Sequence, residues 1–126
     1  MTASTTASIT APIKVDICVI GAGSGGLTVA AGASQLGVSV ALVERDLMGG
    51  DCLNYGCVPS KALLAAGKAA HNIETAGRFG ISGGLLEVDT KAVRQHVRGV
   101  VAGIAPHDSV ERFRALGVNV IQGAAC

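Results

Sequence analysis

An α/β fold, a parallel sheet with flanking helices, is what these 126 residues predict, and three observations carry that expectation. Apolar residues make up 49% of the chain and aromatic ones only 2%, so the core must be built from Ala, Val, Ile and Leu, as it is where helices cover parallel strands. Eighteen glycines supply tight strand-to-helix turns. Short β-branched runs alternate with Ala-rich segments of helical length, the order of a strand, helix, strand unit.

Residues 1–12 are mostly Ser, Thr and Ala, with neither a basic nor an apolar stretch, and read as a disordered tail ahead of a domain over 13–126. A β-branched run over 13–20 is the first strand, and it ends at glycine. The span Gly21-Ala22-Gly23-Ser24-Gly25-Gly26 then sets Gly21, Gly23 and Gly26 in the G-x-G-x-x-G spacing. In that spacing Gly21 makes the tight turn, Gly23 lets the backbone approach a pyrophosphate, and Gly26 lets helix and strand pack closely. The helix expected over 27–36, closed by Gly37, points its positive end at the anion. A second strand over 39–43 brings Glu44 to its carboxyl end, about 20 residues past the glycines, where an acid can hold a ribose diol. Arg45 is not read as a 2′-phosphate ligand, because the acid holds the strand-end position. Strand, glycines, helix, strand and acid in this order form a dinucleotide site; the fingerprint alone does not choose between NAD and FAD.

Pro59 suits the first turn of a helix that should run to His71 or Glu74. An irregular connection follows at Ala76 to Gly80 and at Gly83-Gly84, and Asp89 or Thr90 caps a helix running to Val101 or Ile104. Pro106 interrupts it, Asp108 opens a capping box with Glu111, Phe113 and Leu116 supply an apolar face, and Gly117 stops the helix. The third strand is expected over 118–123. His71, His96 and His107, and the Lys91, Arg94 and Arg98 face, read as solvated helix surface.

Several function classes are disfavoured at this level. A net charge of +1 gives no electrostatic case for nucleic acid or an anionic membrane, and no run of about 18 apolar residues is present to span a bilayer. The tail has no secretion signal, so the expected location is the cytoplasm, where four cysteines point to catalysis or redox sensing before cross-linking.

The chemistry centres on Gly49-Gly50-Asp51-Cys52-Leu53-Asn54-Tyr55-Gly56-Cys57-Val58-Pro59-Ser60-Lys61. Residues five apart lie on diverging helix faces, so bridging Cys52 and Cys57 requires an irregular turn that brings their Cα atoms within about 7 Å, and Gly56 can supply it. The following helix N-terminus and the Lys61 ammonium should both favour a thiolate. Zinc or two buried free cysteines is the alternative, but Cys18 in an apolar strand and Cys126 at the last position make poor additional ligands.

This segment resembles the active-site stretch of the flavin-dependent pyridine nucleotide-disulfide oxidoreductases, the family of dihydrolipoamide dehydrogenase, mercuric reductase and glutathione reductase. The resemblance implies a Rossmann-like flavin domain of which residues 13–126 are the N-terminal part. It makes Cys52 and Cys57 the catalytic redox pair, Cys52 exchanging with substrate and Cys57 lying against the flavin, with Lys61 close to the reactive flavin nitrogen. The cofactor implied is FAD, held by Gly21, Ala22, Gly23, Ser24, Gly25, Gly26, Glu44, Arg45, Gly50, Asp51, Cys52, Cys57, Lys61 and Ala125. Of these, Ala125 belongs to Gly123-Ala124-Ala125, which matches a Gly-x-Ala segment that touches the adenine. Electrons would run from NAD(P)H through FAD to the Cys52–Cys57 disulfide and on to a small disulfide or a thiol-bound mercuric ion. Asp51 stands where members usually carry Thr; with Ser60-Lys61 it leans the reading toward the mercuric branch, the lipoamide and glutathione branches being alternatives. In that family the nicotinamide domain and an interface domain with a His–Glu pair lie beyond residue 126. The 126 residues alone are therefore expected to be inactive, and a homodimer is expected only of the full-length enzyme. A non-catalytic FAD- or dithiol-binding fragment is the competing reading.

Overall fold

The structure is a computed structural model that describes residues 11–82 and 84–125. The expected tail falls outside the described residues except for Ala11 and Pro12, and so do Gly83 and Cys126. Three parallel strands, β1 (Ile17–Ile20), β2 (Val40–Glu44) and β3 (Asn119–Gln122), form one sheet in the order β1-β2-β3. Helix α1 (Ser24–Gln35) connects β1 to β2. Between β2 and β3 come α2 (Gly50–Asn54), α3 (Cys57–Thr75), α4 (Thr90–Ile104) and α5 (Val110–Ala115), with 3₁₀ turns at Ala76–Phe79 and Ala105–Asp108. This is the α/β architecture read from composition and glycine placement, a parallel sheet flanked by helices.

The sheet is aligned from its edge. Ile17 pairs with Val40 and Ala41 with Asn119. Ahead of β1, the Asp16 carboxylate accepts from the Ser39 N–H at 3.0 Å and from its hydroxyl, and the Ile17 N–H donates to the Ser39 carbonyl at 3.1 Å. These bonds from Ser39, the side-chain one first, hold the Asp16 carboxyl below its ordinary range. One core forms, in which Phe113 of α5 and Val40, Leu42 and Val120 of the strands pack with Leu27 and Ala30 of α1. Phe113 is 1% exposed and is the largest fully buried side chain.

Several boundaries move for physical reasons. Helix α1 begins at Ser24 instead of Leu27, because Gly25 and Gly26 form its first turn. Helix α3 begins at Cys57, so Pro59 sits in its first turn, where no N–H is required. Asp89 caps α4 as its spacing suggested, accepting from the N–H groups of Lys91 and Ala92 at 2.9 and 3.0 Å. Asp108 does not cap α5: Pro106 holds Ala105–Asp108 in a 3₁₀ turn, and the Ser109 hydroxyl accepts from the Arg112 N–H at 3.2 Å instead. Strand β1 is four residues long and alternates between half-buried and exposed. Cys18 and Ile20 are its exposed positions, with Ile20 at 72%, because α3 and α4 pair with each other and α1 packs on β1 from one side.

Candidate functional site

The loop between β1 and α1 is shaped by its glycines. Gly21 has φ +99°, and its N–H donates to the Val43 carbonyl at 2.8 Å, which ties the turn to β2. A Cβ on Gly26 would lie 1.9 Å from the Gly21 carbonyl oxygen, so the missing side chain is what lets α1 start against the strand. A Cβ on Gly23 or Gly25 would meet nothing within 4 Å. The front of the loop is therefore open, with the first-turn amides of α1 facing it, the geometry an anion needs. Ser24 is exposed at that helix start. Ala22 is fully buried, and its backbone serves the scaffold: its N–H donates to Glu44 Oε2 at 2.5 Å, and its carbonyl accepts from the Gly49 N–H at 2.9 Å.

Glu44 ends β2 and is 8% exposed. Its Oε2 accepts from Ala22 and its Oε1 from the Asp46 N–H at 2.8 Å. Burial by itself would raise the carboxyl's pKa, but the backbone N–H groups of Ala22, Asp46 and Arg45, together with the Arg45 charge, hold it below its ordinary range. The carboxylate keeps a further lone pair for a hydroxyl. A cavity of about 300 Å³ lies at the carboxyl ends of the strands, where open α/β sheets take ligands. Ile20, Gly21, Glu44, Arg45, Ala124 and Ala125 line it. A second cavity of about 230 Å³ continues from Glu44 and Arg45 past Asp46 and Leu47 to Gly50, Asp51 and Tyr55. Glu44, Arg45, Gly50, Asp51 and Ala125, far apart in sequence, are thus strung along two adjoining cavities.

Two left-handed glycines, Gly49 at φ +86° and Gly50 at φ +57°, turn the chain from β2 into α2. Gly50 presses on the glycine loop so closely that its Cβ would lie 2.8 Å from Gly23 Cα. Helix α2 carries Cys52 and stops after five residues, where the N–H groups of Tyr55 and Gly56 both donate to the Asp51 carbonyl, at 2.9 and 2.6 Å. A Cβ on Gly56 would lie 3.1 Å from that carbonyl oxygen, so Gly56 does permit the irregular turn, and Cys57 opens α3 directly after it. Cys52 is half-buried, Cys57 is exposed, and both are free thiols.

The electrostatics of Cys52 correct the sequence reading. Its thiol is pushed up, first by the Cys57 side chain as a hydrogen-bond partner, then by burial and by the nearby Cys57 charge; the Cys57 backbone N–H and, more weakly, the Lys61 ammonium pull the other way. Alkylation of Cys52 by iodoacetamide should accordingly reach half its limiting rate above pH 9.0, the ordinary thiol value here; a midpoint below that, measured by peptide mass spectrometry, would contradict the thiol–thiol contact.

Sequence reasoning overlooked Asn54. Its side-chain N–H groups donate to the Met48 carbonyl at 3.1 Å and the Gly50 carbonyl at 2.8 Å, and its place between the two cysteines was the available signal. It also overlooked a cavity of about 780 Å³ between α3 and α4, lined mainly by Leu63, Leu64, Val88, Val93 and Val97. That space is larger than the strand-end cavities but touches the cysteine segment only through Tyr55, Pro59 and Ser60, so the chemistry is placed at the strand ends. His71, His96 and His107 are exposed. Among the described residues no group of three or more His, Cys, Asp or Glu is placed to hold a metal ion, and no helix is long and apolar enough to cross a membrane.

Comparison with known proteins agrees with this geometry. A dihydrolipoyl dehydrogenase of Halobacterium salinarum is 43% identical over 111 residues, 87% of this chain and 23% of that protein. One from Bacillus subtilis is 44% identical over 90 residues, 71% of this chain and 19% of that protein. A mercuric reductase of Streptomyces lividans is 52% identical over 64 residues, 51% of this chain and 14% of that protein. The chain thus spans about a quarter or less of the length of these relatives. The sequence pattern of the pyridine nucleotide-disulphide oxidoreductases matches residues 15–123, and the chain belongs to that family.

Proposed function

We propose that this chain carries the dinucleotide loop and the dithiol of an FAD-dependent disulfide oxidoreductase that draws electrons from NAD(P)H. The observation that supports it most is the contact of Gly50 with Gly23, which seats the helix bearing Cys52 directly on the open glycine loop. The residues present suit FAD: the first-turn amides at Ser24 and Gly25 would take its pyrophosphate, Glu44 its ribose hydroxyls, and the cavity at Ala124 and Ala125 its adenosine end. When bound, the flavin supplies a two-electron carrier between nicotinamide and disulfide.

The chain's own part is thiol exchange. The Cys52 thiolate attacks one sulfur of a substrate disulfide, forming a mixed disulfide and releasing one substrate thiol. The Cys57 thiolate then attacks Cys52 Sγ, which closes the Cys52–Cys57 bond and releases the second thiol. Two electrons and two protons reopen that bond for the next cycle. Cys57, the more exposed of the two, is the one a flavin would cover.

The favoured substrate is a small dithiol–disulfide couple of the lipoyl kind, because the relatives that match most of the chain are named dihydrolipoyl dehydrogenases. Mercuric ion is the second reading, carried by Asp51 and by the Streptomyces lividans relative. The homodimer and cytoplasmic location expected of the whole enzyme belong to the same proposal.

A test uses the chain mixed with FAD under anaerobic conditions. Dithiothreitol should bleach the flavin absorbance through the cysteine pair, and Cys57→Ser should slow bleaching to the rate of free FAD. Equal rates for the native chain and Cys57→Ser would overturn the proposal.

A further inference from the structure

We infer that Asn54 is a positioning residue that couples the redox state of the Cys52–Cys57 pair to occupancy of the glycine loop, an inference that rests on the function proposed above. Asn54 is the last residue of α2, two positions after Cys52 and three before Cys57. Its amide donates to two carbonyls of the turn that enters the helix, Met48 at 3.1 Å and Gly50 at 2.8 Å. Gly50 lies within α2, but Met48 lies outside it, so this side chain fastens the far end of the helix to the turn before its start.

That turn is in backbone contact with the glycine loop. The Gly49 N–H donates to the Ala22 carbonyl, Gly50 packs on Gly23 Cα, and Ala22 in turn donates to Glu44. A continuous path of contacts therefore runs from the cysteines through Asn54 and Gly50 to the loop and to the acid at the end of β2. Cys52 and Cys57 are free thiols, whereas a disulfide requires a sulfur–sulfur distance of about 2.05 Å. Closing the bond must shift the end of α2 relative to the start of α3. With the Asn54 amide in place, that shift moves Met48 and Gly50 and reaches Gly23; without it, the end of α2 moves alone.

The chemistry balances with a dithiol as reductant: it gives two electrons and two protons to the Cys52–Cys57 disulfide, leaving two thiols, and closes to a cyclic disulfide itself. ADP is the suitable probe of the loop, since it carries the pyrophosphate and ribose and no redox ring.

The experiment measures ADP affinity by calorimetry for the oxidised and the dithiol-reduced chain, in the native protein, Asn54→Ala and Asn54→Asp. The native affinities should differ by about fivefold or more between the two states. By reciprocity, ADP should shift the midpoint of the cysteine pair against glutathione by the same factor, about 20 mV for a two-electron couple. Both variants should bring the affinity ratio and the midpoint shift close to none. Asn54→Asp keeps the side-chain shape but sets a carboxylate oxygen where Nδ2 donated to both carbonyls, so it separates a lost hydrogen bond from lost bulk, and circular dichroism reports whether each variant is folded. Equal ADP affinity in the two states of the native chain, or an unchanged ratio in both variants, overturns the inference and leaves the proposed function standing. A native chain that binds no ADP, or forms no Cys52–Cys57 bond, overturns the proposed function and the inference with it.

Discussion

Gly26→Ala should abolish dinucleotide binding and lower stability by about 3 kcal/mol, the upper part of the usual range for overpacking. The new Cβ would lie 1.9 Å from the Gly21 carbonyl oxygen and 3.1 Å from Val19 Cγ1. The oxygen is backbone, and the amide of the same residue is bonded to Val43, so no side-chain rotation relieves the clash. Helix α1 must back away from the strand, which opens the loop from Gly21 to Gly26 and displaces the amides that face the anion. A loss of this size should lower the melting temperature by roughly 10 °C. Gly32 in the same helix provides the control: a Cβ there meets nothing within 4 Å, so Gly32→Ala should raise stability by up to about 1 kcal/mol through helix propensity. Thermal melts of the two variants that moved in the same direction would contradict the packing described for Gly26.

Glu44→Ala should weaken both the fold and the nucleotide site. The carboxylate is 8% exposed and accepts from two backbone N–H groups, and charge-assisted bonds of this kind contribute roughly 1.5–3 kcal/mol each. Removing it strands the buried Ala22 N–H and takes away the acceptor for the ribose diol, so adenine-nucleotide affinity should fall by about tenfold or more. The acid arm of stability gives the sign. Because the folded pKa lies below the ordinary 4.5, Glu44 stabilises the fold fully above that pH, and the contribution is lost as pH falls through the folded value. Denaturant melts of Glu44→Gln should therefore show a flatter decline below pH 4.5 than the native chain. Parallel acid arms for the two proteins, with unchanged nucleotide affinity, would remove Glu44 from the site.

Local signals survived from sequence to structure, and signals that depend on distant contacts did not. Asp89 was legible as a cap because a cap is decided by the next three residues, and Gly117 as a helix stop because its φ of +87° is a local demand. Glu44 was legible as a strand-end acid, but its double engagement depends on the register that lays the glycine loop beside β2, with Ala22 lying 22 positions earlier. Helix α2 was not legible: five residues opening on two glycines give no periodicity to read. Ser109 took the cap assigned to Asp108 because Pro106 drew Asp108 into a 3₁₀ turn. The thiolate expected of the cysteine pair is opposed at Cys52, where the Cys57 thiol and burial outweigh the Cys57 N–H and Lys61. The sequence did point to the segment that seats the cysteines, and it missed Asn54, whose partners Met48 and Gly50 lie just before the helix and at its first residue.

Trapping the thiols shows whether Cys52 and Cys57 form a reversible pair. The chain is equilibrated in oxidising buffer, alkylated and digested, and the same is done after reduction by a dithiol. A linked Cys52–Cys57 peptide is expected before reduction, full labelling of both after it, and an alkylatable Cys18 in both samples. Cys52 and Cys57 labelled to the same extent before and after reduction would contradict it.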